Sequence, residues 1–348
     1  MANMAFDLLI PHLQRASGKT IWIADENLLN TRLSANSAVT VIVNRFDLFN
    51  VLKQQDWNAH FSDFDFSEIA DSSIDTLIYR VSKEKPVVHH VINQARRVLK
   101  PGGQLLIAGD KGEGIKTYID KAKKLFAGAC QAQKVSKDTW FAELTCPDGS
   151  SSTPLLDDKH YANLRPEAQD ERFEYWSKPG VYGWNKIDKG SAYLIEHLDA
   201  FLMTMPEPPQ QVLDLGCGYG YLSLNASHLD IPITATDNNA AAIAACERNF
   251  DRYPIDGKVV IANCGEGISG KFDLILCNPP FHAGFDVEGD LTNRFLQAAH
   301  DRLSYTGVAC FVTNLHIPLE RKARQLFHQV EVIASNSNFK LTRLTHRM

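Results

Sequence analysis

Apolar residues along this chain fall into short runs of four to six, each bounded by glycine, proline or a charge. In the C-terminal half these runs are Gln211-Val-Leu-Asp-Leu215, Ile233-Thr-Ala-Thr236, Lys258-Val-Val-Ile-Ala262, Phe272-Asp-Leu-Ile-Leu-Cys277 and, after the turn Tyr305-Thr-Gly307, Val308-Ala-Cys-Phe-Val312. Between them lie stretches of helical character, the alanine-rich Asn239 to Phe250 and then Thr292 to Leu303. Continuously apolar strands of this length are buried on both faces, and their alternation with helices predicts a mainly parallel, doubly wound α/β sheet. The N-terminal half repeats the plan. Thr20-Ile-Trp-Ile-Ala24 and Val39-Thr-Val-Ile-Val43 are followed by Asp75-Thr-Leu-Ile-Tyr79, a helix from about Val87 to Leu99, the turn Lys100-Pro-Gly-Gly103 and the strand Gln104-Leu-Leu-Ile-Ala108. Both halves thus carry an acid-led strand, a helix, a glycine turn and a further strand. That echo suggests a duplication of one α/β unit.

The strongest turn signal, Cys146-Pro-Asp-Gly-Ser-Ser-Ser-Thr-Pro154, sets the expected boundary. A first domain over 1–150, a linker over 151–172 and a second domain over 173–348 follow from it, and a length of 348 residues accommodates two domains. Composition changes this picture little: 44% hydrophobic and 22% charged residues are those of a soluble globular protein. No apolar run approaches the ~20 residues that span a bilayer, and Asp7, His12, Arg15 and Lys19 interrupt the N-terminus, which is therefore not a secretory signal. The seven cysteines are scattered without C-x-x-C spacing, which predicts free thiols in a reducing cytoplasm and no zinc site. A net charge of −5 excludes a uniformly basic nucleic-acid binder. Any RNA contact would come from local groups such as Arg96, Arg97 and Lys100, then Lys121, Lys123, Lys124, Lys134 and Lys137, or Lys178, Lys186 and Lys189. Each of these can equally be a solvated helix face.

Three features carry chemistry. Asp214-Leu-Gly-Cys-Gly-Tyr-Gly220 ends a predicted strand, and glycines at 216, 218 and 220 allow a sharp turn and close approach of backbone to ligand. The dinucleotide fingerprint wants a small residue where Tyr221 stands, which disfavours a nicotinamide cofactor. Asp237 closes the next strand, where a carboxylate can accept hydrogen bonds from ribose hydroxyls or cap a helix. Asn263, after the third strand, can meet an adenine ring or simply form a turn. The third feature, Asn278-Pro-Pro-Phe281, follows the apolar strand ending at Cys277. Its prolines stop the strand and leave carbonyl oxygens without competing local N–H donors. The Asn278 side-chain oxygen and the Pro279 carbonyl can then accept both hydrogens of an exocyclic amine, aiming its lone pair at a methyl sulfonium. Pro280 fixes the backbone, and Phe281 can stack on the attached ring. Taken alone, the element reads as a rigid turn.

With Asp214-Leu-Gly-Cys-Gly, Asp237 and Asn278-Pro-Pro-Phe281 together, the chain resembles the class I methyltransferases that modify exocyclic amines. More narrowly it resembles the RsmC and RlmG type of ribosomal RNA guanine-N2 methyltransferases. Pro179-Gly-Val-Tyr182, Ile187-Asp-Lys-Gly190-Ser and the continuation of the proline element into His282 are similar to theirs, although Tyr182 stands where they usually carry phenylalanine. The resemblance implies two Rossmann-like methyltransferase-type domains, the N-terminal one degenerate and RNA-holding or structural. There Ala24-Asp-Glu-Asn-Leu-Leu29 lacks a glycine loop and Arg80-Val-Ser-Lys83 replaces the proline element. It further implies S-adenosyl-L-methionine as cofactor, bound by Asp214, Gly216, Cys217, Gly218, Gly220, Asp237, Asn263 and Tyr182. Asn278, Pro279, Pro280 and Phe281 would be catalytic, ribosomal RNA of the small subunit the favoured partner, and the working form a cytoplasmic monomer without metal. Methylation of protein glutamine or DNA adenine, where the last residue of the element is usually tyrosine, is the alternative within enzymes. A non-catalytic RNA-binding ribosome-assembly factor is the alternative outside them.

Overall fold

The computed structural model describes residues 4–25, 28, 32–149, 153–280 and 285–346, the side chains of 285–290 excepted. The chain divides into two compact units, Met1–Asn163 and Leu164–Met348. The change of unit falls inside the expected linker 151–172. Its earlier residues pack on the first unit: the Asn93 amide brackets the Leu156 backbone on both its N–H and carbonyl sides, and the His89 ring bonds the Asp157 carbonyl. Its later residues pair as a hairpin in the second.

The first unit holds β1 (Thr20–Ala24), β2 (Val39–Val43), β3 (Asn58–Phe61), β4 (Ile74–Arg80), β5 (Leu99–Asp110), β6 (Cys130–Lys134) and β7 (Thr139–Thr145), in the sheet order β3-β2-β1-β4-β5-β7-β6. After the hairpin β8 (Arg165–Gln169) and β9 (Glu174–Ser177), the second unit holds β10 (Val212–Leu215), β11 (Ile233–Asp237), β12 (Gly257–Ile261), β13 (Phe272–Cys277), β14 (Leu303–Asn314), β15 (Gln329–Ser335) and β16 (Phe339–Thr345). Their order is β12-β11-β10-β13-β14-β16-β15, the same pattern. The first five strands of each sheet are parallel, as expected. The last two are antiparallel.

Alternate residues of each strand feed cores on opposite faces of the sheet. In the second unit Leu213, Leu215, Ile275, Ala309 and Phe311 pack on Phe295, Leu296 and Ala299 of the helix Phe285–Arg302. Val212, Leu274, Leu276, Val308 and Cys310 pack on Leu194, Leu198, Phe201 and Leu222.

The sequence echo has a physical basis. Asp75 and Asp273 do the same work in their units. Each carboxylate accepts a backbone N–H just ahead of the first strand (Lys19 N, 2.8 Å; Gln210 N, 3.0 Å) and a side chain at the start of the fifth (Lys100 Nζ, 2.7 Å; Ser304 Oγ, 2.7 Å). Gly103 and Gly307 sit where a Cβ would come within 3.0 Å of backbone oxygen, at 2.9 Å from Lys100 O and 2.9 Å from Asp273 O. Each half keeps its acid-led strand and glycine turn because both close the same bulge.

Strand registers also align the two units position by position. Thr20 pairs Val39 and Thr76 as Val212 pairs Ile233 and Leu274. By that register Trp22 stands for Asp214, Ala24 for Gly216, Val43 for Asp237 and Arg80 for Asn278. The Arg80 guanidinium is buried, donating to Glu113 Oε1 (2.5 Å) and to the Val81 carbonyl (2.6 Å). An internal ion pair fills the place that Asn278 occupies in the second unit.

Candidate active site

Strands β10, β11 and β13 are parallel neighbours, so the segments that follow Leu215, Asp237 and Cys277 emerge along one edge of the sheet. The chain changes winding direction between β10 and β13, and the crevice at such a switch point is where open α/β sheets bind ligands.

The glycine loop follows β10. Gly216, Gly218 and Gly220 all take positive φ (85°, 54° and 90°), which only glycine adopts without strain. Two backbone N–H groups, Gly216 and Cys217, tie the loop to Thr236 O at 2.9 Å each, and Gly220 N returns to Cys217 O at 2.8 Å. A Cβ on Gly220 would strike Cys246 Sγ at 2.9 Å, whereas a Cβ on Gly218 would meet nothing within 4 Å. Gly220 is therefore needed for packing, and Gly218 borders open space.

Asp237 grips the loop from the next strand. Its Oδ2 accepts Gly218 N at 3.1 Å and its Oδ1 accepts Asn239 N at 2.9 Å, while the carboxylate stays partly exposed. Asn239 caps the helix Ala240–Arg252 by accepting Ala241 N, and its amide donates to Gly180 O at 3.2 Å. Through that bond the segment Pro179-Gly-Val-Tyr182 is held at the Asp237 corner, with Val181 buried against Ala241 and Ala242. Tyr182, 58% exposed, projects from it, and the Asp188 charge contributes to raising its phenol pKa after desolvation. Asn263 is buried beside this corner and accepts from Asn238 Nδ2 at 3.4 Å.

Two residues assigned to the cofactor occupy other positions. Asp214 has no exposed surface; its Oδ2 accepts Ser223 N (3.0 Å) and Ser223 Oγ (2.6 Å), clamping the helix Tyr221–Ala226 from beneath. Cys217 turns its thiol inward against Cys246, a contact that together with burial holds its pKa well above the ordinary value. Both side chains underpin the loop: Asp214 lies two residues short of the level of Asp237 on the same face of the sheet, and the Cys217 thiol is buried beneath the turn.

Burial pushes the Asp214 carboxyl up to about 7 against an ordinary 3.8, with the Ser223 bonds opposing and Asp237 adding. A folded-state pKa above the unfolded one means that the native state holds the extra proton. The stabilising contribution is complete below pH ~4 and is lost as pH rises through ~7. Relative to Asp214→Asn, the wild type is expected to lose stability between pH 5 and 8, on the order of a few kcal/mol. Urea unfolding of both proteins across that range checks this, and parallel pH profiles would remove the titration from Asp214.

Asn278 directly follows β13, with Pro279 buried and Pro280 exposed behind it. Its Nδ2 donates to Asp188 Oδ1 and to Ser191 Oγ, both at 2.8 Å. Asp188 is the N-cap of the helix Lys189–Glu196, and the same Oδ1 accepts Ser191 N at 2.9 Å. Gly190 permits this approach, since a Cβ there would lie 3.1 Å from Asp188 Oδ1 and 3.3 Å from Phe339. Asp188 and Ser191 carried no assigned role in the sequence, although Asp followed by a helix is an N-cap signal. Phe281 and His282 lie outside the described residues. Among the described residues no group of His, Cys, Asp and Glu could hold a metal ion, and no helix is long and apolar enough to cross a membrane.

The chain matches the methyltransferase small domain over residues 172–343 and the methyltransferase small domain N-terminal family over residues 7–137. It is 28% identical over 319 residues to the ribosomal RNA small subunit methyltransferase C of Shewanella loihica, covering 90% of each chain. To the protein of that name from Erwinia tasmaniensis it is 28% identical over 293 residues, covering 82% of this chain and 80% of the other. The chain belongs to the RsmC-type methyltransferases. A solved member, the T. thermophilus 16S rRNA N2 methyltransferase RsmC in complex with AdoMet and guanosine, superposes with a TM-score of 0.83 at 23% identity, over 99% of this chain and 92% of that one. The RsmC-type fold is thus shared along the whole chain, and this family's methyl donor is S-adenosylmethionine. The residues at the crevice fit that donor: open space above Gly218, a partly exposed carboxylate at Asp237 and a carbonyl-bearing side chain at Asn278.

Proposed function

We propose that the second unit transfers the methyl group of S-adenosylmethionine to the exocyclic N2 of a guanine in small-subunit ribosomal RNA. The observation that carries this reading is the orientation of Asn278. A carboxylate accepts only, so Asp188 takes the amide N–H and turns Asn278 Oδ1 the other way, free to accept from a substrate amine. Pro279 supplies the second acceptor, its carbonyl. Held between these two oxygens, a planar amine keeps its lone pair directed at the donor methyl. The residues contribute position, with reacting atoms kept ~3–3.5 Å apart. In this reading Gly216, Gly218 and Gly220 admit the donor, Asp237 accepts from its ribose, Asn263 meets its adenine and Tyr182 covers it. Phe281 stacks on the guanine. The names of the Shewanella and Erwinia relatives, and the AdoMet and guanosine held by the T. thermophilus protein, support the same substrate and donor.

The first unit holds RNA in this proposal and carries no second site. Arg97 is spent on Asp71 and on backbone carbonyls, Lys100 is paired with Asp75, and Lys178 is buried in the second unit. Lys116, Lys123, Lys124, Lys134 and Lys137 remain exposed, with Lys116 lying 5.1 Å over Trp140. That face suits phosphate and base contacts. Lys186 and Lys189, also exposed, flank Asp188 at the catalytic rim. The protein acts as a cytoplasmic monomer in this proposal.

Transfer of labelled methyl to each ribosomal RNA, to ribosomal subunits, to DNA and to protein, compared side by side, tests the reading. The expected product is N2-methylguanine in small-subunit RNA. Label in DNA or protein would replace the substrate, and RNA binding without transfer would favour an assembly factor.

A further inference from the structure

We infer that Asp188, assisted by Ser191, is a positioning residue that acts through Asn278, fixing which end of its amide faces the substrate and polarising it. The inference rests on the reading of Asn278 above and goes beyond it. An asparagine at a strand end can rotate its amide by half a turn, and the two rotamers present opposite chemistry. With the oxygen outward the side chain accepts from an amine, and with the nitrogen outward it repels one. Two acceptors on the inner side decide between them. Asp188 Oδ1 and Ser191 Oγ each lie 2.8 Å from Nδ2, so both amide hydrogens are spent and the oxygen faces outward. Reversing the amide would set an oxygen against a carboxylate.

The carboxylate also adds something that a neutral acceptor would not. A charge-assisted hydrogen bond to Nδ2 draws the amide toward its dipolar form and places more negative charge on Oδ1. As the nitrogen–methyl bond forms and the sulfur–methyl bond breaks, S-adenosylhomocysteine leaves as a neutral thioether and the substrate nitrogen becomes positive until it gives up one proton to water. A fixed partial negative charge beside it then stabilises the transition state more than the ground state, the condition for raising kcat. The supply of this charge is built into the backbone. Asp188 Oδ1 accepts Ser191 N as a helix cap, Gly190 allows the tight turn, and a hydrophobic wall of Phe339 and Val312 lies behind it. Asp188 and Asn278 are 90 residues apart in the chain, so the cap of one helix is what orients the acceptor at the end of β13.

Asp188→Asn separates charge from geometry, because an asparagine there retains an oxygen at the Oδ1 position for both Ser191 N and Asn278 Nδ2. Two readouts are needed. The first uses protein labelled with 15N-asparagine, in which the Asn278 side-chain amide is identified by its loss in Asn278→Ala. In the wild type its two protons are expected to exchange slowly with solvent. In Asp188→Ala combined with Ser191→Ala that protection is expected to be lost. The second is single-turnover methyl transfer beside the Kd for S-adenosylhomocysteine. Asp188→Asn is expected to slow transfer roughly 10–100-fold with Kd changed less than about twofold. Unchanged amide protection in the double variant overturns the inference whatever the methyl acceptor is. Transfer by Asp188→Asn at the wild-type rate, or slowed only in step with weakened ligand binding, overturns it too and leaves Asp188 as a helix cap. An inactive wild type would instead reject the substrate reading, while the amide readout still decides the geometry.

Discussion

Asn278→Ala is expected to lower methyl transfer roughly 10³-fold while leaving S-adenosylhomocysteine affinity within a few-fold of wild type. The reasoning starts from what the side chain touches. Its amide hydrogens end on Asp188 and Ser191, which in the proposed reading leaves its oxygen for the substrate amine, and its described bonds run to the helix Lys189–Glu196 and its cap rather than to the glycine loop or Asp237. Truncation therefore removes one of two acceptors for the incoming amine and leaves the donor's cradle in place. An amine held by the Pro279 carbonyl alone can swing, and misplacement by ~1 Å suffices to cost about two orders of magnitude. Losing the charge compensation on the nitrogen adds to this. Asp188 and Ser191 would also be left with unmet hydrogen-bonding capacity, so a modest fall in thermal stability is expected alongside. Single-turnover transfer and calorimetry on the same preparation give the two numbers. A variant that transfers methyl at the wild-type rate would remove Asn278 from the chemistry.

Parallel strands were readable in the sequence because both of their faces are buried. Thr20–Ala24 and Val39–Val43 read as unbroken apolar runs and form strands with those limits. The antiparallel edge was not readable, for the complementary reason. β6 is Cys130-Gln-Ala-Gln-Lys134, largely exposed, and β15 is Gln329-Val-Glu-Val-Ile-Ala-Ser335, half exposed; neither has a continuous apolar signal. The hairpin of β8 and β9, which includes Pro166, gave no signal either. At the site, residue types with a local signature stood out: glycines after a strand, a carboxylate closing the next, prolines after another. What escaped was work done across the chain. Asp214 and Asp237 look alike in sequence, as acids in or ending a strand. By strand register the two lie on the same face with Asp237 two residues nearer the strand ends, so Asp214 falls beneath the loop on Ser223 and Asp237 at the crevice. Likewise Asp188 reads locally as a cap, and its hold on Asn278 emerges only when β13 is laid beside the helix.

Asp237→Ala should weaken S-adenosylhomocysteine binding by roughly 100-fold, since hydrogen bonds from ribose hydroxyls to an ionised carboxylate are worth ~1.5–3 kcal/mol each. Part of the loss will be indirect. Asp237 also accepts Gly218 N and Asn239 N, and without it the loop's middle glycine loses its tether to β11 just where the backbone borders open space. The same variant distinguishes the two units. By strand register Val43 takes the place of Asp237 in the first unit, Ala24 that of Gly216, and the ion-paired Arg80 that of Asn278. An apolar strand end can offer a ribose no acceptor, and a buried guanidinium paired with Glu113 fills the position where the substrate amine would be received. Calorimetry of the wild type should therefore give one ligand per chain, and Asp237→Ala should weaken that single event rather than halve the stoichiometry. Two equivalents in the wild type, one of them untouched by Asp237→Ala, would place a functioning site in the first unit and contradict its degeneracy. Wild-type affinity in the variant would remove Asp237 from the ribose. Weakened binding at a stoichiometry of one would leave a duplicated fold in which only one copy keeps the acceptor set that a methyl donor needs.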